Sequence, residues 1–347
     1  KMNKIEKKDI RSFSLEKLEL FFQSSGEKVF RAKQVHKWLW QKGVSSFDEM
    51  TNIPNSLRLT LAENFLINSI IIDKNQKSKD GTIKNSIKLH DGLMVESVII
   101  PSSRRITGCV SSQVGCSLDC IFCATSSLKR MRNLNSDEIF DQVASISKQS
   151  EVHFNRPLTN IVFMGMGEPL LNYKNVIGAI KKITSRDGLG ISSRRITLST
   201  SGIPKMIKKL ADDRVKFKLA VSLHSARQST REKIMPFTRK FPLDDLIKSL
   251  KYWNKITNKV VTLEYIIWKD INDKIEDINS LINFCKEIPS KVNLIEYNSI
   301  GNSKFKQASK AKVIEYKNAL EKVKIPVSIR SSRGKDIDAA CGQLANR

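Results

Sequence analysis

From about Arg105 onward, short apolar runs alternate with segments whose apolar residues recur three and four positions apart. The runs are typical of buried strands, and the segments are typical of amphipathic helices. The strand candidates are RITGCVS, LTNIVFMG, RRITLST, KFKLAVSLH, KVVTLEYIIW, KVNLIEYN and IPVSIRSS. The helix candidates between them are Ser136–Lys148, Tyr173–Thr184, Ile203–Leu210, Leu243–Ile256, Ile275–Ile288 and Ala308–Lys322. Strands that alternate with helices predict a parallel sheet, and this number of units predicts a barrel or an open partial barrel.

Two different patterns come before this region. The first seventy or so residues contain SLEKLELFFQ, FRAKQVHKWLW and NSLRLTLAENF, which have helical spacing. The runs SIIID, IKNSIKL and LMVESVIIP follow, separated by KDG and HDG, and they predict strands joined by tight turns. We therefore expect an α/β protein with four parts: a helical accessory region (1–72), a β extension (73–104), a partial (βα)6 barrel (105–331) and a C-terminal tail (332–347).

Polar motifs fall at the ends of the predicted barrel strands. A cysteine-rich stretch follows the first strand and GMGEP follows the second, whereas STS, SLHS and EYN end the third, fourth and sixth. In barrels of parallel strands the chemistry lies at the carboxyl ends of the strands. We therefore expect these motifs to meet at one edge of the sheet.

Charge and composition narrow the class of protein. The chain has 60 Lys and Arg against 35 Asp and Glu, a formal net charge of +25. Such a surplus favours a polyanionic partner, most of all nucleic acid, although solvated lysine faces would give the same count. No apolar run approaches the roughly 18 residues that span a bilayer, and no apolar segment follows the basic N-terminus. We expect a cytoplasmic protein without a signal peptide or membrane span, in which clustered thiols stay reduced and serve metal or redox chemistry.

Four of the six cysteines lie in GCVSSQVGCSLDCIFCAT, and Cys116, Cys120 and Cys123 have the spacing C-x3-C-x2-C. Thiolate ligands suit iron–sulfur clusters or zinc. A structural zinc site usually needs four ligands in two separated pairs, and the sequence has no second pair. An electron-transfer [4Fe–4S] cluster would normally use four cysteines, so three leave one iron open to a substrate. Three buried structural thiols are the remaining alternative.

This spacing, with Phe122 placed to shield a cluster from water, resembles the radical S-adenosylmethionine (SAM) superfamily. The motifs CVSSQVGC, GMGEPLLN, RRITLSTSG, SLHS and DIDAACGQL are further similar to the bacterial radical-SAM methyltransferases that act on C2 of adenine in 23S rRNA and tRNA. This likeness runs from about Glu96 to Leu344. A sister family that methylates C8 of the same ribosomal adenine is the second candidate. A non-catalytic RNA-binding protein with a structural metal is the third.

The resemblance implies one [4Fe–4S] cluster on the three cysteines and two SAM molecules per turnover. It assigns Cys341 as the thiolate that takes a methyl group from one SAM. A radical made from the second SAM then removes a hydrogen atom from that methyl group, and the carbon radical adds to C2. It assigns Cys109 as the thiol that attacks Cys341, which forms a disulfide and releases methylated RNA. Glu96 matches a glutamate proposed to move the C2 proton, and the alternative is an exposed charge on an edge strand.

The resemblance also implies contacts with SAM. Gly167 and Glu168 would hold its amino group, and further positions match at Ser199, Ser222, Leu223, His224 and Asn298. A structural histidine is the alternative for His224. The implied partners are 23S rRNA and tRNA, either or both, with flavodoxin and its reductase as the electron donor. Apart from the resemblance, we expect a monomer.

Two positions stand apart from these assignments. Cys285 falls on the apolar side of a predicted helix, so we expect it in the core with no chemical role. Lys129 stands where the family usually has a glycine. If that glycine needs a positive φ, the lysine will reshape the loop after the cysteines.

Overall fold

The computed structural model of the protein describes residues 7–301 and 304–346. The first six residues of the predicted accessory region and the last residue of the predicted tail lie outside these ranges. Within the described residues, no helix combines the length and the apolar character that crossing a membrane requires.

The N-terminal region is helical, as the spacing of its apolar residues predicts. It consists of the elements β1 (Lys8–Asp9), α1 (Leu15–Ser24), α2 (Phe30–Lys37), α3 (Asn55–Asn64) and β2 (Phe65–Leu66). The short strands β1 and β2 pair in parallel. The predicted second helix continues past α2 as a π-helical turn, Trp38–Lys42, which ends at Gly43 in the left-handed conformation. Leu18, Phe22, Val35, Leu39 and Leu61 are buried between these helices.

The predicted β extension is part of the main sheet. It contains β3 (Ile71–Lys77), β4 (Ile83–Lys88) and β5 (Met94–Pro101), each antiparallel to the next. Strand β5 pairs on its other side with β6 (Ile106–Cys109), the first barrel strand, also antiparallel. The extension and the barrel therefore share one continuous set of backbone hydrogen bonds.

The parallel part of the sheet has seven strands. A small antiparallel pair, β7 (Gln113–Val114) and β8 (Arg132–Asn133), flanks the cysteine-rich loop. After β6, the parallel strands are β9 (Asn160–Phe163), β10 (Ile196–Thr200), β11 (Lys218–Ser222), β12 (Val261–Ile266), β13 (Ser290–Ile295) and β14 (Val327–Arg330). In the described residues the sheet runs β14-β13-β12-β11-β10-β9-β6-β5-β4-β3, and its two end strands are not paired with each other. The barrel is therefore open.

Among the described residues, six helices return the chain between these strands. They are α4 (Ser136–Phe154), α5 (Tyr173–Thr184), α6 (Pro204–Asp212), α8 (Leu243–Thr257), α9 (Ile275–Glu287) and α10 (Lys310–Lys322), and a shorter helix, α7 (Gln228–Ile234), precedes α8. A capping box of Asn135 and Glu138 begins α4. Strand β12 is buried along its whole length, as expected for a strand covered on both faces. The α/β architecture with an open parallel barrel is confirmed.

A buried ion-pair network joins the N-terminal region to the barrel. Arg11 Nη1 donates to both oxygens of Asp141 on α4, at 2.8 and 2.7 Å. Arg11 Nη2 donates to Asp137 at 3.2 Å and to Asp9 at 3.0 Å. Because Arg11 is only 8% exposed, this cation is held almost entirely by protein carboxylates.

Candidate active site

Side-chain and backbone contacts connect the carboxyl ends of several barrel strands. Gln113, after β6, accepts a hydrogen bond from the backbone of Glu168, after β9, at 2.8 Å. The Glu168 carboxylate accepts two more from Ser201, after β10, each at 2.7 Å. The Ser201 carbonyl accepts one from Arg231, which follows β11, at 2.7 Å. The motifs that follow successive strands thus meet at one edge of the sheet.

The three clustered cysteines share one half-buried loop between β7 and β8. Burial raises the pKa of Cys120, and negative charge on Cys123 and Cys116 raises it further, so the three thiols lie near one another. The backbone N–H of Leu118 donates to Cys116 Sγ at 3.4 Å. In the described ranges no group of three such side chains is arranged, as it stands, to hold a metal ion. The loop supplies the donor set for a cluster: three thiols and an N–H that stabilises a thiolate.

Phe122 covers the inner side of this loop. Its ring lies 4.9 Å from the ring of His224 and 5.1 Å from that of Trp268. Phe122 is 9% exposed and belongs to a small aromatic cluster with Trp268, Tyr297 and Phe305. These apolar rings exclude water from the inner side of the cysteines.

The loop after β9 holds a glycine and a glutamate in fixed positions. Gly167 has φ +91°, and a Cβ there would lie 2.4 Å from Gln113 Cβ, so only glycine fits. Glu168 is buried, and its Oε1 accepts from the Leu170 N–H at 3.0 Å. Burial raises the pKa of Glu168, although the hydrogen bonds from Ser201 and Leu170 oppose that shift. The carboxylate is therefore oriented entirely by neighbouring protein groups.

Strands β10 and β11 end at the next predicted SAM-contacting residues. Ser199 lies on β10 and is 9% exposed, whereas Ser222 ends β11 and is half-buried. Leu223 follows and is fully buried, with its N–H donating to the Glu264 carbonyl at 3.0 Å. The structure thus brings Ser199, Ser222 and Leu223 to the same edge as Glu168.

His224 is buried and uncharged. It has φ +56°, and its Nδ1 accepts the backbone N–H of Ile266 at 3.2 Å, so Nε2 is the protonated nitrogen. Burial, with the nearby Arg231 cation, lowers the pKa of His224 to about 3. His224 therefore offers an N–H donor and an aromatic face at this edge, but no positive charge at neutral pH.

Asn298 lies after β13 and contacts the C-terminal tail. Its Nδ2 donates to the Cys341 carbonyl at 3.3 Å. Its Oδ1 is buried and has no hydrogen-bond partner in the described part of the chain. A buried amide oxygen without a donor is costly, so this atom is a candidate acceptor for a bound ligand.

The C-terminal tail crosses the same edge of the sheet. The Ala124 N–H donates to the Gly342 carbonyl at 2.7 Å, and Thr125 Oγ1 donates to the Leu344 carbonyl at 2.6 Å. Cys341 is accessible to solvent. Desolvation by the surrounding protein atoms raises the pKa of its thiol, and the negative charge of Glu264 raises it further. The tail thus holds Cys341 next to the cysteine-rich loop.

Cys109 lies at the end of β6 and is buried. Burial raises the pKa of Cys109, and negative charge on Cys341 raises it further. Cys109 is registered with Val98 of β5, the strand whose Glu96 binds the tail at Ala345 and Asn346. Cys285 is also buried, on α9 in the main core, as its position on the apolar side of a helix predicts.

Glu96 is fully buried on β5. Its Oε2 accepts the backbone N–H groups of Ala345 and Asn346 at 2.8 and 3.1 Å, and its Oε1 lies 3.3 Å from Lys84 Nζ. The alternative of an exposed charge on an edge strand is therefore wrong. Strand β5 is an interior strand of the sheet, and the tail covers this carboxylate.

The loop at Lys129 has an ordinary backbone. Lys129 is not among the residues with positive φ, so the lysine needs no strained conformation. The close approach occurs at Gly115 instead, where φ is +74° and a Cβ would lie 2.5 Å from the Lys129 carbonyl oxygen. The glycine of the QVGC motif therefore allows the two sides of the loop to meet.

Sequence reasoning missed two of the residues that hold this edge together. Gln113 stands within the QVGC motif, which could have drawn attention to it. Arg231 is 1% exposed, and it donates to the carbonyls of Ser222, at 3.0 Å, and Leu223. In the sequence it is one arginine in an ordinary basic helix, RQSTREKI, and no signal distinguishes it.

Two family models match the chain. The model of the ribosomal RNA large subunit methyltransferase N-terminal domain matches residues 8–67, and that of the radical SAM superfamily matches residues 110–285. These matches fall on the helical region and on most of the barrel.

Relatives match over almost the whole length. A probable dual-specificity RNA methyltransferase RlmN of Christiangramia forsetii is 60% identical over 99% of this chain and 98% of its own. A dual-specificity RNA methyltransferase RlmN of Anaeromyxobacter sp. is 41% identical over 97% of this chain and 90% of its own. The crystal structure of a radical SAM methyltransferase from Sphaerobacter thermophilus superposes with a TM-score of 0.93 at 33% identity, covering 98% of this chain and all of that one. The chain therefore belongs to the RlmN family of radical-SAM RNA methyltransferases.

Proposed function

We propose that this enzyme methylates C2 of adenine in 23S rRNA and in tRNA, with Cys341 as the methyl carrier and Cys109 as the resolving thiol. The observation that carries the proposal is the path of the tail that bears Cys341. Gly342 bonds to Ala124 of the cysteine-rich loop, and Ala345 and Asn346 bond to Glu96 on the strand that pairs with the strand of Cys109. The names of the relatives, which are dual-specificity RNA methyltransferases, support the choice of two RNA classes.

Membership of the radical SAM superfamily implies a [4Fe–4S] cluster and SAM. We propose that Cys116, Cys120 and Cys123 hold a single cluster and that each turnover consumes two SAM molecules. Bound there, the cluster supplies the electron that cleaves SAM reductively. The donor set fits, because three thiols share one loop and Leu118 donates a hydrogen bond to Cys116 Sγ.

The residues at the strand ends would orient SAM. Gly167 lets the backbone approach a ligand closely, and Glu168 is held rigidly enough to accept from an ammonium group. Asn298 Oδ1 is an acceptor with no donor among the residues that the structure describes. Further contacts are proposed for Ser199, Ser222, Leu223 and His224.

The thiols then perform two transfers. The Cys341 thiolate attacks the methyl carbon of SAM, so an S–C bond forms and S-adenosylhomocysteine leaves. A radical made from a second SAM is proposed to remove one hydrogen atom from this methyl group, and the carbon radical then adds to C2 of adenine. Glu96 is proposed to take the C2 proton, and the adduct gives up its unpaired electron, which the oxidised cluster would take back. The Cys109 thiolate attacks Cys341 Sγ, an S–S bond forms, and the electron pair of the broken S–C bond goes to the carbon, which gains a proton. A dithiol reductant must then reduce the disulfide.

We further propose a working assembly for this chemistry. The helical region (1–72) would grip RNA with the help of the chain's excess of basic residues, which predicts salt-dependent binding. The β extension (73–104), the barrel (105–331) and the tail (332–347) would form the catalytic body. A monomer acting in the cytoplasm, with flavodoxin and its reductase as electron donor, completes the proposal.

Mass spectrometry of wild type and Cys109→Ala, purified from RNA-containing cells, tests this function. We expect a methyl group on Cys341 in wild type. In the variant we expect RNA linked covalently to Cys341, because the resolving thiol is gone. Cys285→Ala is the matched control, since it removes a buried cysteine of the core and should carry no RNA.

Nuclease digestion of the adduct identifies the RNA and the bonded carbon. A bond at C2 supports the proposal, and a bond at C8 moves the enzyme to the sister chemistry. If a protein with an intact cluster carries neither methyl group nor RNA on Cys341, the two-cysteine mechanism is wrong.

A further inference from the structure

The tail that carries Cys341 is attached to the β extension before that residue. Asp80, in the turn between β3 and β4, accepts the Gly334 N–H at 3.0 Å. On the same turn, Ser78 Oγ and the Lys79 N–H donate to the carboxylate of Asp336 at 2.5 and 3.1 Å. Two carboxylates, one from each segment, therefore tie residues 334–336 to the turn.

Close packing makes this first attachment specific. Gly334 has φ +65°, and a Cβ there would lie 2.7 Å from Ala339 Cβ and 2.9 Å from Thr82 Cγ2. Although partial burial acts to raise the pKa of Asp80, hydrogen bonds from Thr82 and Gly334 lower it to about 2. Asp80 is therefore an anion at neutral pH. It binds the tail at Gly334, a position whose backbone conformation and close packing require glycine.

A second attachment lies after Cys341. Both N–H groups of Ala345 and Asn346 converge on Glu96 Oε2, and Asn346 Nδ2 donates to the Met94 carbonyl at 2.9 Å. Glu96 is paired with Lys84, which is 4% exposed on the neighbouring strand β4. A buried carboxylate with a buried cation beside it is a strong acceptor for backbone N–H groups.

The two attachments and the resolving thiol belong to one rigid unit. Asp80 and Glu96 stand on the β3–β4–β5 part of the sheet, and β5 pairs directly with β6, where Val98 is registered with Cys109. The tail is thus held on both sides of Cys341 by the strands that continue into the strand bearing Cys109. If only one of the two attachments were present, the free part of the tail would sample many positions.

We propose that Asp80 and Glu96 are positioning residues that fasten the tail at two points and so hold Cys341 against Cys109. The β extension serves as the support for this strap. The inference rests on the roles proposed for Cys341 and Cys109. In the fastened state Glu96 acts through the backbone of Ala345 and Asn346, so proton transfer by Glu96 follows release of the last residues of the tail.

The test uses the full-length, cluster-loaded enzyme with Asp80→Ala, Glu96→Ala and the milder pair Asp80→Asn and Glu96→Gln. Asp73→Asn is the matched control, because Asp73 is an exposed carboxylate on β3, in the same extension. Backbone hydrogen exchange of residues 334–346 reports on the tail, and exchange of the barrel strands reports on folding. The rate of Cys109–Cys341 disulfide formation under a mild oxidant reports on the positioning of the thiols.

We expect faster exchange of residues 334–339 in Asp80→Ala and of residues 345–346 in Glu96→Ala, with the barrel unchanged. Disulfide formation should slow at least tenfold in both, and the kcat for RNA methylation should fall more than KM changes. Asn and Gln keep an acceptor oxygen, so Asp80→Asn and Glu96→Gln should recover part of each rate. Asp73→Asn should behave as wild type.

Wild-type exchange in both alanine variants would overturn the proposal, and so would a loosened tail with an unchanged rate of disulfide formation. The proposal would also be overturned if Glu96→Gln formed the disulfide as slowly as Glu96→Ala while Asp80→Ala formed it at the wild-type rate. That result would leave Glu96 with a role in proton transfer alone. Failure of the proposed function is a separate result, in which Cys341 carries no methyl group in wild type. Backbone hydrogen exchange and the rate of disulfide formation would still show whether the tail is fastened at two points.

Discussion

Arg231 donates a hydrogen bond from Nη2 to the carbonyl of Ser201 at 2.7 Å, across the gap between the ends of β10 and β11. Its Nη1 donates to the carbonyls of Ser222 and Leu223, so one buried guanidinium satisfies three carbonyls from two strand ends. Those strand ends carry four of the proposed SAM contacts. Arg231 therefore holds the ends of these two strands together, although it lies outside the sequence motifs.

Replacing Arg231 by Met should weaken both stability and SAM binding. The change removes the guanidinium donor from the carbonyls of Ser201 and Ser222, at a cost of about 1–3 kcal/mol for each group that finds no water. The Leu223 carbonyl keeps the N–H of Ser225 at 2.7 Å. We expect a lower free energy of unfolding, measured in urea, and a raised KM for SAM. Lys233→Met is the control, because it removes an exposed cation from the same helix. An unchanged KM for SAM in Arg231→Met would contradict this role.

Gly167→Ala should abolish methylation. A Cβ at this position meets Gln113 Cβ at 2.4 Å and Oε1 at 2.8 Å, and the residue also has φ +91°. The strain alone costs about 1–3 kcal/mol, and the clash displaces the Glu168 loop. Gly26→Ala is matched, since Gly26 has φ +73° but open space around its Cβ position. Anaerobic SAM cleavage and thermal unfolding should separate the two: both variants lose stability, and only Gly167→Ala loses activity.

Arg11→Leu should destabilise the attachment of the N-terminal region to the barrel. Removing the cation leaves Asp137 and Asp141 as carboxylates without their partner, and breaking a buried ion pair typically costs about 3–5 kcal/mol. We expect the transition in denaturant to occur at lower concentration, with weaker RNA binding measured by filter retention. Lys33→Leu, at an exposed position of α2, should leave stability within about 0.5 kcal/mol of wild type.

His224 should make the enzyme sensitive to acid. Its pKa is about 3 in the folded protein, below the ordinary value of 6.5, so the unfolded chain binds the proton more readily. The contribution of neutral His224 to the free energy of unfolding is fully present above about pH 6.5. It falls by about 1.4 kcal/mol per pH unit as the pH drops toward 3. Urea unfolding at pH 7 and pH 5 measures it.

His224→Asn should remove most of this pH dependence, because asparagine does not titrate in this range and tolerates a positive φ. His153→Asn, at an exposed position near the end of α4, should leave it in place. Equal pH dependence in wild type and His224→Asn would show that other groups cause it.

The chain's own pattern determined the architecture and the nature of the chemistry. The apolar spacing of Tyr173–Thr184 predicts a helix that the structure has with the same ends. The alternation of apolar runs and amphipathic segments predicts the order of the parallel strands, because strand and helix periods are local properties of the chain. The cysteine spacing, likewise local, carried the resemblance to the radical SAM superfamily.

Helix ends and burial were less predictable. Helix α4 continues to Phe154 although its apolar spacing weakens after Lys148, and it ends where Asn155 adopts a left-handed conformation. Glu96 reads as an exposed residue in an alternating strand, yet it is buried. Its burial depends on β6 pairing beside β5 and on the tail lying over it, and both partners are remote in the sequence.

Only the tertiary structure decided which distant residues share the site. The position of the tail on both sides of Cys341 follows from hydrogen bonds to Asp80 and Glu96, and no periodicity records which backbone N–H a carboxylate will meet. In the sequence, Arg231 is one of 60 basic residues and nothing distinguishes it. In the fold, it is buried and bonds to the ends of both β10 and β11. Local periodicity specifies elements and their order, whereas long-range hydrogen bonds between buried groups exist only once the chain has folded.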